Sequence, residues 1–336
     1  MGLKRYAARR VAWAAVATWI AVSATFVLLW LSPDPGADVA AAEAAAQGLS
    51  PEQAQERYLA ARGLDRPAHV QYLDFVTSVF TLDWGWSVSQ NEPVMEALGE
   101  SWGHTVQYAV PAMAVSVVVG YGVGLYTAVN QHTAADYVGS FVAYVGISIP
   151  NFWFAIVLIL VSGVWFQDAT VLGLSLEPLS FRTFYDPSID TFTVANARQL
   201  VLPTTVLATA SVASQMRYSR AEALEYVAAD FVRTARAKGA SGWRILTRHV
   251  FRVALVPLST ILVVQVLTVL FAGSIVVEQI FAIPGLGRLY LDAIRGNDTQ
   301  LVLVITLFPV VIAILGNLLQ DLAYVILDPR IDYGDR

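Results

Sequence analysis

The chain has 336 residues, 56% hydrophobic and only 14% charged, with a formal net charge of −5 and a mean hydropathy of +0.56. A soluble domain carries about a quarter charged residues, so this composition excludes an ordinary water-soluble domain, and its apolar content excludes disorder. The acidic balance argues against nucleic acid as a partner, and the absence of cysteine removes disulfide scaffolds, thiolate metal sites and cysteine nucleophiles.

A bilayer-crossing helix needs about 20 mostly apolar residues. Six stretches qualify, at about 11–31, 104–129, 137–163, 199–217, 257–279 and 301–326, which predicts an all-α membrane protein with six transmembrane helices. The first follows Lys4, Arg5, Arg9 and Arg10. It is longer than the apolar core of a signal peptide, and Ser32 and Pro33 behind it do not resemble a cleavage site, so it reads as an anchor. Between the first two spans lies a long segment, about 32–103, with eleven acids from Asp34 to Glu100 against Arg57, Arg62 and Arg66. There Ser50-Pro51-Glu52 opens a helix over 51–62 that ends at Gly63. Val70, Leu73, Phe75, Val76 and Val79 mark a second helix over 67–80. Leu82 to Ser87 reads as a turn with interfacial tryptophans. A later segment, about 164–198, has Pro178, Pro187 and no clear periodicity.

Basic residues set the orientation. With the N-terminus in the cytoplasm, 14 of the 21 lie inside. Eight of these fall between spans four and five: Arg217, Arg220, Arg233, Arg236, Lys238, Arg244, Arg248 and Arg252. Both termini are therefore expected inside and 32–103 outside.

No G-x-x-x-x-G-K-[ST] occurs, so no P-loop cradles a nucleotide, and no H-E-x-x-H occurs. The four histidines, His69, His104, His132 and His249, are scattered, and neither a metal nor a cofactor is expected. Gly120, Gly122 and Gly124 inside span two fit close helix packing. Asn297-Asp298-Thr299 matches a glycosylation acceptor. Polar groups inside spans are costly and are functional candidates. Here they are mostly amides: Gln107, Asn151, Gln215, Gln265 and Asn317. Gln107, Asn151, Gln215 and Gln265 are candidates for lining a translocation path, the alternative being hydrogen bonds between helices. Asp321 and Glu278 sit near span ends.

The basic segment between spans four and five carries the most information. Leu224, Val227, Phe231 and Ala235 recur at helical spacing, predicting a helix over 220–237. Gly239 after Lys238 suits a left-handed cap, and a second helix runs from about Ser241 to Ala254 until Pro257 opens span five. Helix, glycine turn and helix at a membrane surface fit either a lipid-binding element or a docking lever for a cytoplasmic partner.

Phe231-Val232-Arg233-Thr234-Ala235-Arg236-Ala237-Lys238-Gly239 resembles the inner-membrane permeases of binding-protein-dependent ABC importers, closest to the B-type subunit of the dipeptide/oligopeptide branch. Gly146-Ile147-Ser148-Ile149-Pro150-Asn151-Phe152-Trp153, Phe281 through Leu289, Asp328-Pro329-Arg330 and Leu64-Asp65-Arg66-Pro67 are similar to other parts of that family, in order along the chain. Arg233, Thr234 and Ala235 stand where the general importer motif has Glu-Ala-Ala, and the downstream proline comes late, at Pro257. Both departures look typical of the peptide branch, and they make transfer of a specific acidic contact unsafe.

The resemblance implies a type I importer permease fold, with an anchor and outside segment over 1–100, a permease domain over 101–328 with a coupling loop at about 218–256, and a cytoplasmic tail over 329–336. It implies as partners a second, C-type permease subunit, two cytoplasmic ABC ATPase subunits and an extracytoplasmic substrate-binding protein, besides the lipid bilayer itself. Phe231, Arg233, Thr234, Ala235, Arg236, Ala237, Lys238, Gly239, Ala240 and Ser241 would couple to the ATPase. Dipeptides or oligopeptides are the expected substrates; similar permeases serve nickel, glutathione or sugars. A receptor or channel would instead need a ligand pocket or a charged pore ring, and neither is visible.

Overall fold

Helix satisfies backbone polar groups within its own segment, which the apolar interior of a membrane demands. The computed structural model is accordingly helical throughout most of its length, and describes residues 3–31, 35–61, 63–166, 170–171, 174–175 and 181–327. Ser32, Pro33, Asp34, Arg62, Pro178, Asp328-Pro329-Arg330 and the expected tail over 329–336 lie outside the described residues.

The elements in chain order are α1 (Leu3–Leu31), α2 (Pro35–Ala46), α3 (Pro51–Ala61), α4 (Ala68–Thr81), β1 (Trp86–Ser87), β2 (Glu92–Pro93) and α5 (Val94–Val115). A π-helical turn over Ser116–Tyr121 leads into α6 (Gly122–Val129), α7 (Ala134–Ser148) and α8 (Asn151–Leu160), and then β3 (Thr170–Val171) and β4 (Leu174–Ser175). Another π-helical turn lies over Val161–Trp165, after α8, and there follow α9 (Val194–Val227), α10 (Asp230–Ala237), α11 (Gly242–Arg244), a π-helical turn over Ile245–Val250, α12 (Phe251–Ala272), α13 (Ile275–Phe281), α14 (Leu286–Arg295) and α15 (Thr299–Leu327). The chain divides into two units, one of residues 1–101 and 289–336, the other of residues 102–288.

In the first unit α1 packs against α15 and α4. Arg10 Nη1 lies 2.9 Å from Asp321 Oδ2, which gives that span-end acid a partner. Ser23 and Tyr72 share a 2.8 Å hydrogen bond. The helix expected from Pro51 forms, and Gly63 ends it at φ +67°, with the Leu64 N–H donating to Leu59 O. The turn after α4 opens into a small hairpin pairing Trp86 with Pro93 and Ser87 with Glu92. Trp86 is exposed as an interfacial residue should be, but Trp84 is buried. The hairpin is held by Asp298: its Oδ2 accepts from Ser87 Oγ (2.6 Å), Ser89 N (3.0 Å) and Ser89 Oγ (3.0 Å), and its Oδ1 from Leu301 N (3.1 Å). Burial opposes charge on this carboxyl, but the hydrogen bonds from Ser87, Ser89 and Leu301 outweigh it and hold its pKa below the ordinary carboxylate value.

In the second unit α9 is the central helix, packed against α6, α7, α8, α12 and α13. Its 34 residues span about 51 Å, well beyond a bilayer core. The glycine stripe works as expected at two of its three positions: a Cβ at Gly120 would lie 2.6 Å from Gln215 Cβ, and one at Gly124 would meet Ser219 Oγ and Met216 O of α9, whereas Gly122 faces open space. One core cluster joins Tyr108, Leu202, Val206, Val277, Phe281 and Ile283. A second joins Tyr121, Leu125, Ala223, Val232, Ile245, Leu246, Val250 and Leu258.

Among the described residues three stretches are long and apolar enough to cross a membrane, those beginning at Arg5, at Val94 and at Thr299, and two bent pairs raise this to five. The expected third span breaks by 96° between Ser148 and Asn151. Pro150 is the cause, because it forces Ile149 out of the helical region, to ψ 119°. At the expected fifth, Gly242–Leu255 and Pro257–Ala272 are bent by 57° from one another, so Pro257 opens the span as expected, although helical hydrogen bonding runs on through the proline. The fourth, 199–217, lies within α9 but falls short of that apolarity, its buried side carrying Gln199, Ser211 and Gln215. A helix ringed by others needs no continuous apolar surface.

The candidate coupling element and the polar groups of the spans

The helix expected over 220–237 is two helices. α9 runs on to Val227, the chain breaks at Ala229 (φ −67°, ψ 151°), and α10 begins at Asp230. Val232 and Ala235 of α10 are buried, while Phe231, Arg233, Thr234, Arg236, Ala237 and Lys238 face outward. Apolar anchors three residues apart thus leave the other face of the helix free. Ala235 lies on the buried face, beneath the exposed residues.

The turn after α10 is closed by the backbone. Ala240 N–H donates to Ala235 O (3.1 Å) and Gly239 N–H to Arg236 O (2.9 Å), the paired bonds of a Schellman cap. Gly239 has φ +78°, and a Cβ built on it meets nothing within 4 Å. Its requirement is conformational, not steric. Ser241 then caps the next helix, its Oγ accepting from Arg244 N at 3.4 Å. Arg233 and Asp230 approach to 3.5 Å but are 72% and 96% exposed, so the pair adds little to stability. Sequence reasoning passed over Trp243, which is 71% exposed one turn beyond Gly239. A large aromatic inside a basic loop was the available signal.

The four amides do not converge on one surface. Gln215 donates through Nε2 to Gln265 Oε1, joining α9 to α12. Gln107 Oε1 accepts from Asn196 Nδ2 at 2.9 Å, joining α5 to α9. Asn151 is half-buried at the first turn of α8. A cavity of about 620 Å³ beside α7 and α9 is lined by Thr204, Thr205 and Thr209 among apolar side chains, and by none of the four. Gln215, Gln265 and Gln107 thus take part in hydrogen bonds between helices.

Two acids carry more structure than their positions in the sequence suggested. Glu278, fully buried, accepts at Oε1 from Thr105 Oγ1 (3.0 Å), Tyr108 OH (2.7 Å) and Ser274 N (3.3 Å), and at Oε2 from Arg288 N (2.8 Å). It fixes the segment between α12 and α14 onto α5. A Cβ at Gly273 or Gly285 would lie within 2.6 Å of its side chain; glycines on both sides of a lone acid were the signal. Asp136, at the start of α7, holds Arg220 of α9 by two bonds, Nε–Oδ1 at 2.9 Å and Nη2–Oδ2 at 3.0 Å. From the sequence, Arg220 was one of eight basic residues between spans four and five, with no partner indicated.

Residues 120–333 match the family described as binding-protein-dependent transport system inner membrane component. The chain is similar to the oligopeptide transport system permease protein AppB of Bacillus subtilis, 34% identical over 283 residues that cover 83% of this chain and 85% of that protein. It is also similar to the dipeptide transport system permease protein DppB of Escherichia coli K12, 34% identical over 318 residues, 91% of this chain and 92% of that protein.

Proposed function

Because the chain belongs to the family of binding-protein-dependent transport system inner membrane components, we propose that it is the permease subunit of an ATP-driven importer of dipeptides or oligopeptides. As a family member it is a multi-pass membrane protein that carries out transport rather than catalysis, in a system with ATPase and substrate-binding components. The peptide substrate rests on the names of its relatives, AppB and DppB.

The observation that carries the mechanism is the α10–Gly239–α11 element: a helix anchored through Val232 and Ala235, a hydrogen-bonded cap at Gly239, and a short turn of helix with Trp243 exposed before the buried Ile245 and Leu246. Phe231, Arg233, Thr234, Arg236, Ala237, Lys238, Gly239 and Ser241 form the surface that seats in a groove of the ATPase, with Ala235 and Ala240 behind it. When two ATPases close on ATP, the element moves as a body and rocks the spans between inward and outward states. Six crossings follow if α9 supplies the fourth. The chain then has both termini in the cytoplasm, an anchor and outside segment over 1–100, a permease domain over 101–328 and a short tail. A C-type permease completes the pathway, two ATPases bind inside and a binding protein docks outside.

Isolating the tagged chain from its own membrane tests the assignment. Co-isolation of a P-loop ATPase and a C-type permease is expected. With the cognate binding protein added, di- and oligopeptides should stimulate ATP hydrolysis by the reconstituted complex, and nickel, glutathione and sugars should not. Stimulation by one of the latter alone would replace the peptide assignment.

A further inference from the structure

The geometry points to Arg220 and Asp136 as a positioning pair that makes α7 move with the coupling element. Arg220 lies on α9 two turns before the break at Ala229, which leads into α10. Its guanidinium grips Asp136 through both carboxylate oxygens, at 2.9 and 3.0 Å. The Asp136 side chain is 5% exposed and that of Arg220 27%. A two-point fork between planar groups fixes orientation as well as distance, which a lysine or a single hydrogen bond does not.

The carboxylate is itself held in place. Asp136 Oδ2 accepts from the His132 N–H at 3.0 Å, and His132 sits at φ +65°. Thr133 caps α7 by accepting from Asp136 N at 3.4 Å. The turn between α6 and α7 is thus shaped around the acid that Arg220 binds. On the other side, a Cβ at Gly124 of α6 would lie 3.1 Å from the backbone N of Arg220, so α6 touches α9 directly beside the pair. Below it, Val232 of α10 packs in one cluster with Leu125, Ala223 and Ile245. The end of α9, the α6–α7 turn and the base of the coupling element therefore form one block. α7 carries motion onward to α8 through the 96° bend at Pro150. A break of the pair leaves α9 attached to the element and α7 held to it only by apolar packing such as Ala143 against Ala213 and Met216, without the orientation that the fork fixes.

This inference rests on the coupling reading of α10 and Gly239, so its test separates the two. The chain lacks cysteine, and Ala134 and Glu225 are exposed; spin labels on cysteines placed there report the α7–α9 distance in the assembled importer. One narrow distance, equal in nucleotide-free and ATP-bound states, is expected, and it should broaden or become state-dependent in Asp136→Asn and in Arg220→Lys. Peptide uptake per ATP hydrolysed should fall about tenfold in both, within the range of measured coupling between sites, while ATP hydrolysis continues. The double exchange Asp136→Arg with Arg220→Asp should recover uptake if the bond itself matters. A distance in the unsubstituted chain that changes between nucleotide states would overturn the inference, and so would unchanged uptake per ATP in correctly assembled Asp136→Asn. Failure of the coupling reading shows elsewhere, as full ATPase stimulation in Gly239→Val.

Discussion

Two glycine-marked turns of the second unit stand in contrast. At Gly239 the glycine lies in open space at positive φ, with a helix on each side presenting polar residues outward. Between α12 and α14, Gly273 and Gly285 press against a buried carboxylate whose two oxygens meet four donors. The first turn keeps a shape and leaves its surface free; the second turns its carboxylate and the four donors that meet it inward. A surface built to meet a partner and a joint built to stay closed are distinguished by where their hydrogen bonds go.

The contrast fails first, if it fails, at Glu278. Glu278→Ala strands the Tyr108 and Thr105 hydroxyls and two backbone N–H groups away from water, and a loss of about 3 kcal/mol or more is expected. Thermal melting of the purified complex should show it, with Glu278→Gln intermediate. A melt unchanged in Glu278→Ala would mean that the joint is not closed through this residue. Next comes Gly285→Ala, whose Cβ would sit 2.5 Å from Glu278 Cδ; crowding of about 1–3 kcal/mol is expected. By contrast, Gly239→Ala meets no atom and carries only the strain of positive φ, about 1 kcal/mol, and Gly239→Asn less. Equal melting losses for Gly285→Ala and Gly239→Ala would erase the distinction.

The smallest effect concerns Asp298 in the other unit. Its folded pKa lies below the ordinary carboxylate value, so its contribution is present above that value and is lost as pH falls through the folded one. Protection of the Ser89 and Leu301 amides against hydrogen exchange, relative to the intrinsic rate at each pH, should therefore fall as the medium is acidified below the carboxylate range. In Asp298→Asn that pH dependence should be absent.

These expectations separate what the sequence reveals from what it hides. Local chemistry was legible: Ser50 and Ser241 cap their helices, Gly63 and Gly239 take positive φ, and Gly120 and Gly124 admit α9. Each is decided by a few neighbouring residues. Breaks inside long apolar runs were less legible, because hydropathy does not register that Pro150 bends its helix pair by 96° or that Ala229 leaves the helix. Long-range partners were not legible at all. Arg220 and Asp136 are 84 residues apart, and Tyr108 and Glu278 are 170 apart; no periodicity joins them. The polarity of Gln107 and Gln215 was visible, but its use depends on Asn196 and Gln265 across the bundle.

The central claim is that the α10–Gly239 element transmits ATPase closure to the spans. Its most direct test is substrate-stimulated ATP hydrolysis by the reconstituted importer carrying Gly239→Val, beside one in which Arg244, Arg248 and Arg252 are all alanine. The β-branched side chain cannot hold φ +78° without strain, so the lever should tilt out of its groove. Stimulation should be abolished in Gly239→Val with the permease still in the membrane, and largely kept in the triple variant. Full stimulation with Gly239→Val, together with its loss in the triple variant, would contradict the claim and make the element a lipid-surface anchor.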